Sequence, residues 1–175
     1  EKTVAGYDVK ISNELYTVDD FTFSGEATVK GTDAGSYNME LKPADFTNTN
    51  KNFKNVEFVI VDGTLEISKR TVTLTSADDE KVYDGTALTN STVTAGGDGF
   101  AEGEGATYDV TGTITEVGET ANAFTYTLNE GTKADNYTIT KVEGTLTVTE
   151  LTDKVTVTIT ENSGSETYDG AEKTV

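Results

Sequence analysis

Two Tyr-Asp-Gly triplets are the first candidates for chemistry in this chain of 175 residues. They are Tyr83, Asp84 and Gly85, and then Tyr168, Asp169 and Gly170. Each sets an aromatic ring beside a carboxylate, a pair that can stack on a sugar ring and accept hydrogen bonds from its hydroxyls. An acidic residue followed by glycine is also typical of a tight turn, because glycine adopts positive φ without strain. We favour the turn, with the tyrosine packed beneath it.

Three acidic loops supply hard oxygen ligands of the kind that calcium prefers. They lie at residues 19–20, 78–80 and 97–104. None has the spacing of an EF-hand loop, so we interpret them as solvated charge. The sequence therefore predicts no metal site and no other cofactor.

Composition excludes several classes of function. The chain contains no Cys, His, Trp or Gln, which excludes disulfides, Cys or His zinc ligands, and catalysis by a thiol or an imidazole. Its formal net charge of −18 would repel phosphate, so no nucleic-acid partner is expected. Paired carboxylates could hydrolyse a glycoside only across a cleft, for which small repeats leave little room. We expect no enzyme, and no apolar run reaches the length of about 20 residues that a membrane span needs.

The remaining composition predicts an all-β protein. Thr, Val, Ile, Phe and Tyr make up 72 of the 175 residues, and these side chains favour strands over helices. Helix is expected only as a single turn near residues 43–46. Apolar and polar residues alternate, or apolar residues run together, in segments that predict strands: residues 58–61, 71–75, 123–128, 137–142, 145–149 and 155–160. Asp62-Gly63 and Glu143-Gly144 are predicted as further tight turns with glycine at positive φ.

Internal repeats organise these segments. Residues 71–75 recur as residues 156–160, and the Tyr-Asp-Gly triplet recurs at the same spacing of 85 residues. Gly63-Thr64-Leu65 recurs 81 residues later, and residues 1–4 recur as residues 172–175. The chain therefore reads as a first β repeat without its opening strand (residues 1–69), a complete repeat (residues 70–150), and the opening strand and turn of a further copy (residues 151–175).

A strand without a sheet is marginal by itself, so residues 151–175 are expected to dock on a first domain of the same kind. Either the chain is a window of a longer tandem array, or this segment inserts into a neighbouring molecule by strand complementation. Val155, Val157 and Ile159 would form the apolar side of this inter-unit strand. Donor and acceptor surfaces differ, so the contact would be head-to-tail and would build a filament.

Several short motifs resemble the MBG or YDG-type repeat of Gram-positive bacterial surface proteins. In the second repeat they follow the Thr-Val-Thr opening and the Tyr-Asp-Gly turn, and include residues 113–118, 124–126, 136–139 and 144–148. In the first repeat the counterparts are residues 33–37 and 63–67. The resemblance implies small β-sandwich or β-grasp-like domains set end to end, in a secreted, cell-wall-associated, adhesin-like protein.

Lysine and asparagine residues recur at equivalent places in these repeats. Lys69 and Lys154 open two repeats, and Asn55 and Asn136 precede the same closing strand. Surface fibres of Gram-positive bacteria often carry Lys-to-Asn isopeptide bonds, which makes these four residues cross-link candidates. Lysine is rarely buried, so we favour solvated lysines and loop asparagines.

Two functions therefore stay open. The main prediction is a structural tandem-repeat module that forms the stalk or fibre of an extracellular bacterial protein, with copies of itself or adjacent repeats as its partners. The alternative is an adhesin module that binds a host glycan or host protein through exposed aromatic side chains, with Tyr7, Tyr16, Phe100 and Tyr108 as candidates.

Overall fold

A computed structural model describes residues 1–174 of the chain and confirms the all-β class. It contains fourteen short strands and three one-turn 3-10 helices. One of these helices, Pro43–Asp45, is the turn expected near residues 43–46. None of the helices in residues 1–174 has the length and apolar character that crossing a membrane requires.

Residues 1–69 contain six strands in three small antiparallel sheets. The pairs are β1 with β3, β2 with β5, and β4 with β6. The strands are β1 (Lys2–Ala5), β2 (Phe21–Phe23), β3 (Thr28–Gly31), β4 (Gly35–Asn38), β5 (Phe46–Asn48) and β6 (Thr64–Ile67), with the 3-10 helix Val18–Asp20 before β2.

Residues 70–149 contain eight strands, with two parallel pairs. One sheet has the order β13-β7-β9, a second has the order β11-β14-β8, and β10 pairs with β12. The strands are β7 (Arg70–Ser76), β8 (Asp79–Val82), β9 (Val93–Gly97), β10 (Ala106–Val110), β11 (Gly118–Ala121), β12 (Phe124–Leu128), β13 (Tyr137–Val142) and β14 (Thr145–Thr149), with the 3-10 helix Ala134–Asn136 before β13.

The opening strand β7 is the centre of the second repeat. It pairs in parallel with β13 and antiparallel with β9. Its Val72 and Leu74 are almost fully buried and pack with Phe124 and Tyr137. A second cluster, built on Leu88, Leu146 and Val148, lies under β14.

The predicted segments form strands only where a partner strand is present. The segments at residues 71–75, 123–128, 137–142 and 145–149 are confirmed as β7, β12, β13 and β14. The prediction for residues 58–61 is wrong, because these residues form no strand. Residues 155–160 form no strand in the single chain either, and their strand stays a prediction for the docked segment. Each lacks a neighbour to accept its backbone hydrogen bonds. Val59 and Val61 are accordingly exposed rather than buried on both faces.

Two of the four predicted glycine turns are also wrong. Gly85 and Gly170 have positive φ, but Gly63 and Gly144 do not. Gly144 lies between β13 and β14, which belong to different sheets, so no hairpin forms there. A Cβ at residue 144 would lie 2.5 Å from the carbonyl oxygen of Ser76. Glycine is required at this position by close backbone packing.

Candidate functional site

An open groove in the first repeat is the principal candidate site. It is a cavity of about 410 Å³, bordered by residues 7–13 on one side and residues 55–61 on the other. Its apolar lining includes Phe21, Phe46 and Phe53. Within residues 1–174, the stretches 7–11 and 56–61 are neither assigned to strands nor paired in a sheet.

A cluster of aromatic side chains packs along this groove. Phe46 packs against Phe23, with ring centroids 4.9 Å apart, and against Phe58, with centroids 5.6 Å apart. Tyr7 contacts Phe46 edge to face at 5.3 Å. These large rings, placed on short strands, fill much of the volume along the groove.

Tyr16 lies at the end of the groove. The single proton of its hydroxyl group is shared between two acceptors, the carbonyl oxygen of Asp20 at 3.1 Å and Asn48 Oδ1 at 3.0 Å. Burial, with a smaller contribution from the charge of Asp20, raises the pKa of Tyr16. Tyr16 is therefore a structural residue of the groove and is not exposed for stacking on a ligand.

The two borders of the groove correspond to the two strands that flank β7 in the second repeat. Val56 precedes Gly63 by seven residues, as Tyr137 precedes Gly144, so residues 56–61 correspond to β13. On the other side, Lys2 pairs with Gly31 as Leu88 bridges Ile114. Tyr7 follows Lys2 by the same five residues by which Val93 follows Leu88, so residues 7–11 correspond to β9. The groove of the first repeat therefore occupies the position that is equivalent to β7 in the second repeat.

The predicted inter-unit strand is solvent-exposed in this chain. Val155, Val157 and Ile159 are 79%, 77% and 86% exposed, and residues 151–174 form no strand. Their equivalents in the second repeat differ. Val72 and Leu74, which correspond to Val157 and Ile159, are buried, whereas Arg70, which corresponds to Val155, is exposed.

Both Tyr-Asp-Gly triplets form the same local turn. Asp84 Oδ1 accepts a hydrogen bond from the backbone N–H of Thr86 at 2.9 Å, and Asp169 Oδ1 accepts one from Ala171 at 3.0 Å. The Lys81 ammonium group, followed by the Thr86 hydrogen bonds, lowers the pKa of Asp84. The tyrosines differ, because Tyr83 packs against the Leu88 cluster while Tyr168 is exposed.

The acidic loops use their carboxylates within the fold. Asp98 Oδ2 accepts hydrogen bonds from the backbone N–H and the hydroxyl group of Thr71, both at 2.8 Å. Asp20 Oδ2 accepts the backbone N–H of Thr17 at 2.7 Å. In the described part of the chain, no group of three or more acidic side chains is arranged to hold a metal ion.

The four cross-link candidates lie in different surroundings. Lys69, Lys154 and Asn55 are exposed, and Asn136 is half-buried. The side chain of Asn136 binds the first repeat, where its Oδ1 accepts the backbone N–H of Ala34 at 2.7 Å and its Nδ2 donates to Asp33 at 3.0 Å. The interpretation that we favour, solvated lysines and loop asparagines without a cross-link, stays a prediction. The intact mass is its test, because each isopeptide bond would release one ammonia.

Two features of the site were not predicted from the sequence. One is the role of residues 7–13 as a border of the groove, although Tyr7, Val9 and Ile11 alternate as a strand would. The other is the contact of Asp33 with Lys133 and Asn136 across the two repeats. The equivalent positions of Asn136 and Asn55 in the two repeats single out Asn136, but they do not indicate its partner.

Comparison with known proteins supports the assignment of the first repeat. Residues 2–69 match the family described as MBG domain. No curated protein matches the chain, and no solved structure matches it either. MBG domains are typical of extracellular surface proteins. The match covers the first repeat, so this part of the chain is similar to MBG domains, which suggests a repeat module of a surface protein.

Proposed function

We propose that this chain is a structural module of the stalk or fibre of an extracellular bacterial surface protein, and that its units join head to tail by strand completion. The observation that carries the proposal is the groove of the first repeat. Its borders, residues 7–11 and 56–61, correspond to the strands that hold β7 in the second repeat. The segment that corresponds to β7 is residues 155–161, which pair with no strand among residues 1–174.

The pairing of β7 defines how this segment would lie in the groove of a second copy. Val72 is the parallel partner of Ile139 and the antiparallel partner of Gly97. At equivalent positions, Val157 would lie between Phe58 and Ile11. Ile159 would then lie between Ile60 and Val9, over the aromatic cluster.

Burial of two aliphatic side chains supplies a driving force for this insertion. Val157 and Ile159 are exposed in the single chain, and full burial of each contributes about 1.5–3 kcal/mol. Backbone hydrogen bonds to both borders would satisfy groups that no strand pairs in the first repeat. The segment Val155–Thr160 carries no charge, so its insertion brings no ionised side chain into the groove.

The adhesin alternative receives less support from the arrangement of the aromatic residues. Tyr16 is buried, Phe100 packs on Tyr137 with ring centroids 5.2 Å apart, and Tyr108 packs on Phe124. Tyr7 is the one candidate that is both partly exposed and beside a cavity. On these grounds we propose a structural role over ligand binding, and we propose that the chain is non-catalytic because it contains no Cys or His.

The test is a charged substitution in the donor segment. Val157→Asp should block assembly of the 175-residue chain, because it would place a carboxylate between the apolar side chains of Phe58 and Ile11. Light scattering after size exclusion, over a range of concentrations, measures the assembly. The amide NMR spectrum of the second repeat should stay unchanged, since that repeat supplies its own β7.

Val155→Asp is the matched control for this test. It makes the same chemical change two residues away, at the position where the second repeat has the exposed Arg70. We expect this variant to assemble almost as well as the unchanged chain. Assembly of Val157→Asp at the same concentrations as Val155→Asp would contradict the proposal.

A further inference from the structure

The two repeats of the chain meet through a small polar contact, which we call the joint: Asp33 and Ala34 of the first repeat with Lys133 and Asn136 of the second. Lys133 Nζ lies 2.7 Å from Asp33 Oδ2, and Asn136 Nδ2 donates to Asp33 Oδ1 at 3.0 Å. The backbone N–H of Ala34 donates to Asn136 Oδ1 at 2.7 Å. The hydrogen bond from Lys133, followed by that from Asn136, lowers the pKa of Asp33.

The second repeat carries residues equivalent to Asp33 and Ala34, the first-repeat side of the joint, just before β11. Gly35 begins β4 and pairs with Ile67, and Gly118 begins β11 and pairs with Val148 in the same way. Both glycines have the same unusual backbone, with φ of 154° and 145°. The residues before them correspond, so Glu116 and Val117 take the places of Asp33 and Ala34.

The first repeat carries residues equivalent to Lys133 and Asn136, the second-repeat side of the joint. Asn136 and Asn55 each lie eight residues before the glycine that precedes the closing strand. Lys133 corresponds to Asn52 by the same spacing. Asn52 and Asn55 are both exposed, so their side chains are accessible to a second copy of the chain.

An apolar depression adjoins Glu116 and Val117. Its volume is about 770 Å³, and Val82, Val117 and Leu151 line it. These three side chains are 52%, 49% and 53% exposed. The depression lies next to Glu150–Asp153, the segment that leads from the second repeat toward the donor strand.

We infer that this end of the second repeat binds the first repeat of a second copy of the chain through a copy of the joint. In this contact, Asn55 of the second copy accepts the backbone N–H of Val117 and donates to Glu116. Asn52 occupies the place of Lys133. The inference rests on the proposed head-to-tail linkage and adds to it a second contact that fixes how successive units are oriented.

The test introduces a lysine at position 52, which is equivalent to Lys133 of the joint. Asn52→Lys should form an ion pair with Glu116 of the neighbouring copy and lower the concentration of half-assembly, about two- to fivefold, as expected for one exposed ion pair. Thr89→Lys is the matched control, because it makes the same change in net charge at an exposed position outside the joint. Light scattering against concentration gives both values.

A charge reversal completes the test. Glu116→Lys combined with Asn52→Lys should lose the gain and assemble less readily than the unchanged chain, because two lysines then face each other. Equal gains in Asn52→Lys and Thr89→Lys, or a gain that persists with Glu116→Lys, would overturn the inference. Assembly that depends on Val157 but responds to none of these changes would overturn the joint alone. A chain that stays monomeric throughout would overturn both proposals.

Discussion

Glycine residues in this protein either adopt positive φ in a turn or allow close backbone packing. Only the first role can be predicted from the sequence. Gly85 and Gly170 follow an aspartate that accepts a hydrogen bond two residues ahead, so their positive φ is a local property and is predictable. Gly144 is required by contact with the backbone at Ser76, 68 residues earlier in the chain. Such an approach depends on tertiary packing, and the preceding acidic residue wrongly indicated a turn.

Gly144→Ala should destabilise the second repeat by about 1–3 kcal/mol, the usual cost of forcing extra volume into a packed site. The added Cβ would lie 2.5 Å from the Ser76 carbonyl oxygen and 2.6 Å from the Ala77 backbone. Urea unfolding, followed through amide resonances of the second repeat, measures the change. Gly96→Ala is the control, with its nearest contact at 3.8 Å, and should shift stability by less than about 0.5 kcal/mol. Equal effects of the two substitutions would contradict this account of Gly144.

Strands in this protein form where a partner is present, whatever their own pattern. Alternation correctly predicted β7, β12, β13 and β14. Residues 56–61 are as apolar as β13 and occupy the equivalent place, yet they form no strand without a β7 beside them. The sequence predicts which segments can be strands, but the parallel pairing of β7 with β13 joins distant segments and could not be predicted from local pattern.

Hydrogen exchange should expose this difference between equivalent segments. In dilute, monomeric solution the amides of residues 56–61 should exchange at least tenfold faster than those of β13, because they lack backbone partners. Exchange measured by NMR at two concentrations gives the comparison. Assembly should slow exchange in residues 56–61 and leave β13 unchanged. Equal protection of both segments in the monomer would show that residues 56–61 already have a partner.

At the scale of the whole molecule, an open groove and an exposed apolar segment occur in one chain, and we propose that they act as acceptor and donor. The groove belongs to residues 1–69, and the donor follows the second repeat. A contact between such unlike surfaces does not close on itself, so each added copy presents a new groove or a new donor. The net charge of −18 would keep neighbouring fibres apart. The spacing of the repeats is the basis for predicting head-to-tail insertion. The polar joint between the two repeats could not be predicted, because no sequence motif marks its residues.

The most direct test of this account is a disulfide between donor and groove. In the second repeat, Thr140 is the partner of Thr73, so Val59 and Thr158 should be neighbours on adjacent strands of two copies. The natural chain contains no cysteine. Val59→Cys and Thr158→Cys chains, with one of them isotope-labelled, are mixed under mild oxidation, and mass spectrometry counts the mixed dimers.

The account predicts a high yield of mixed, disulfide-linked dimers from Val59→Cys and Thr158→Cys. The control mixture pairs Val59→Cys with Thr94→Cys, an exposed position on β9 outside the donor segment, and should give few. Equal yields from the two mixtures, or no mixed dimer from the first, would contradict insertion of residues 155–161 into the groove of a neighbouring copy.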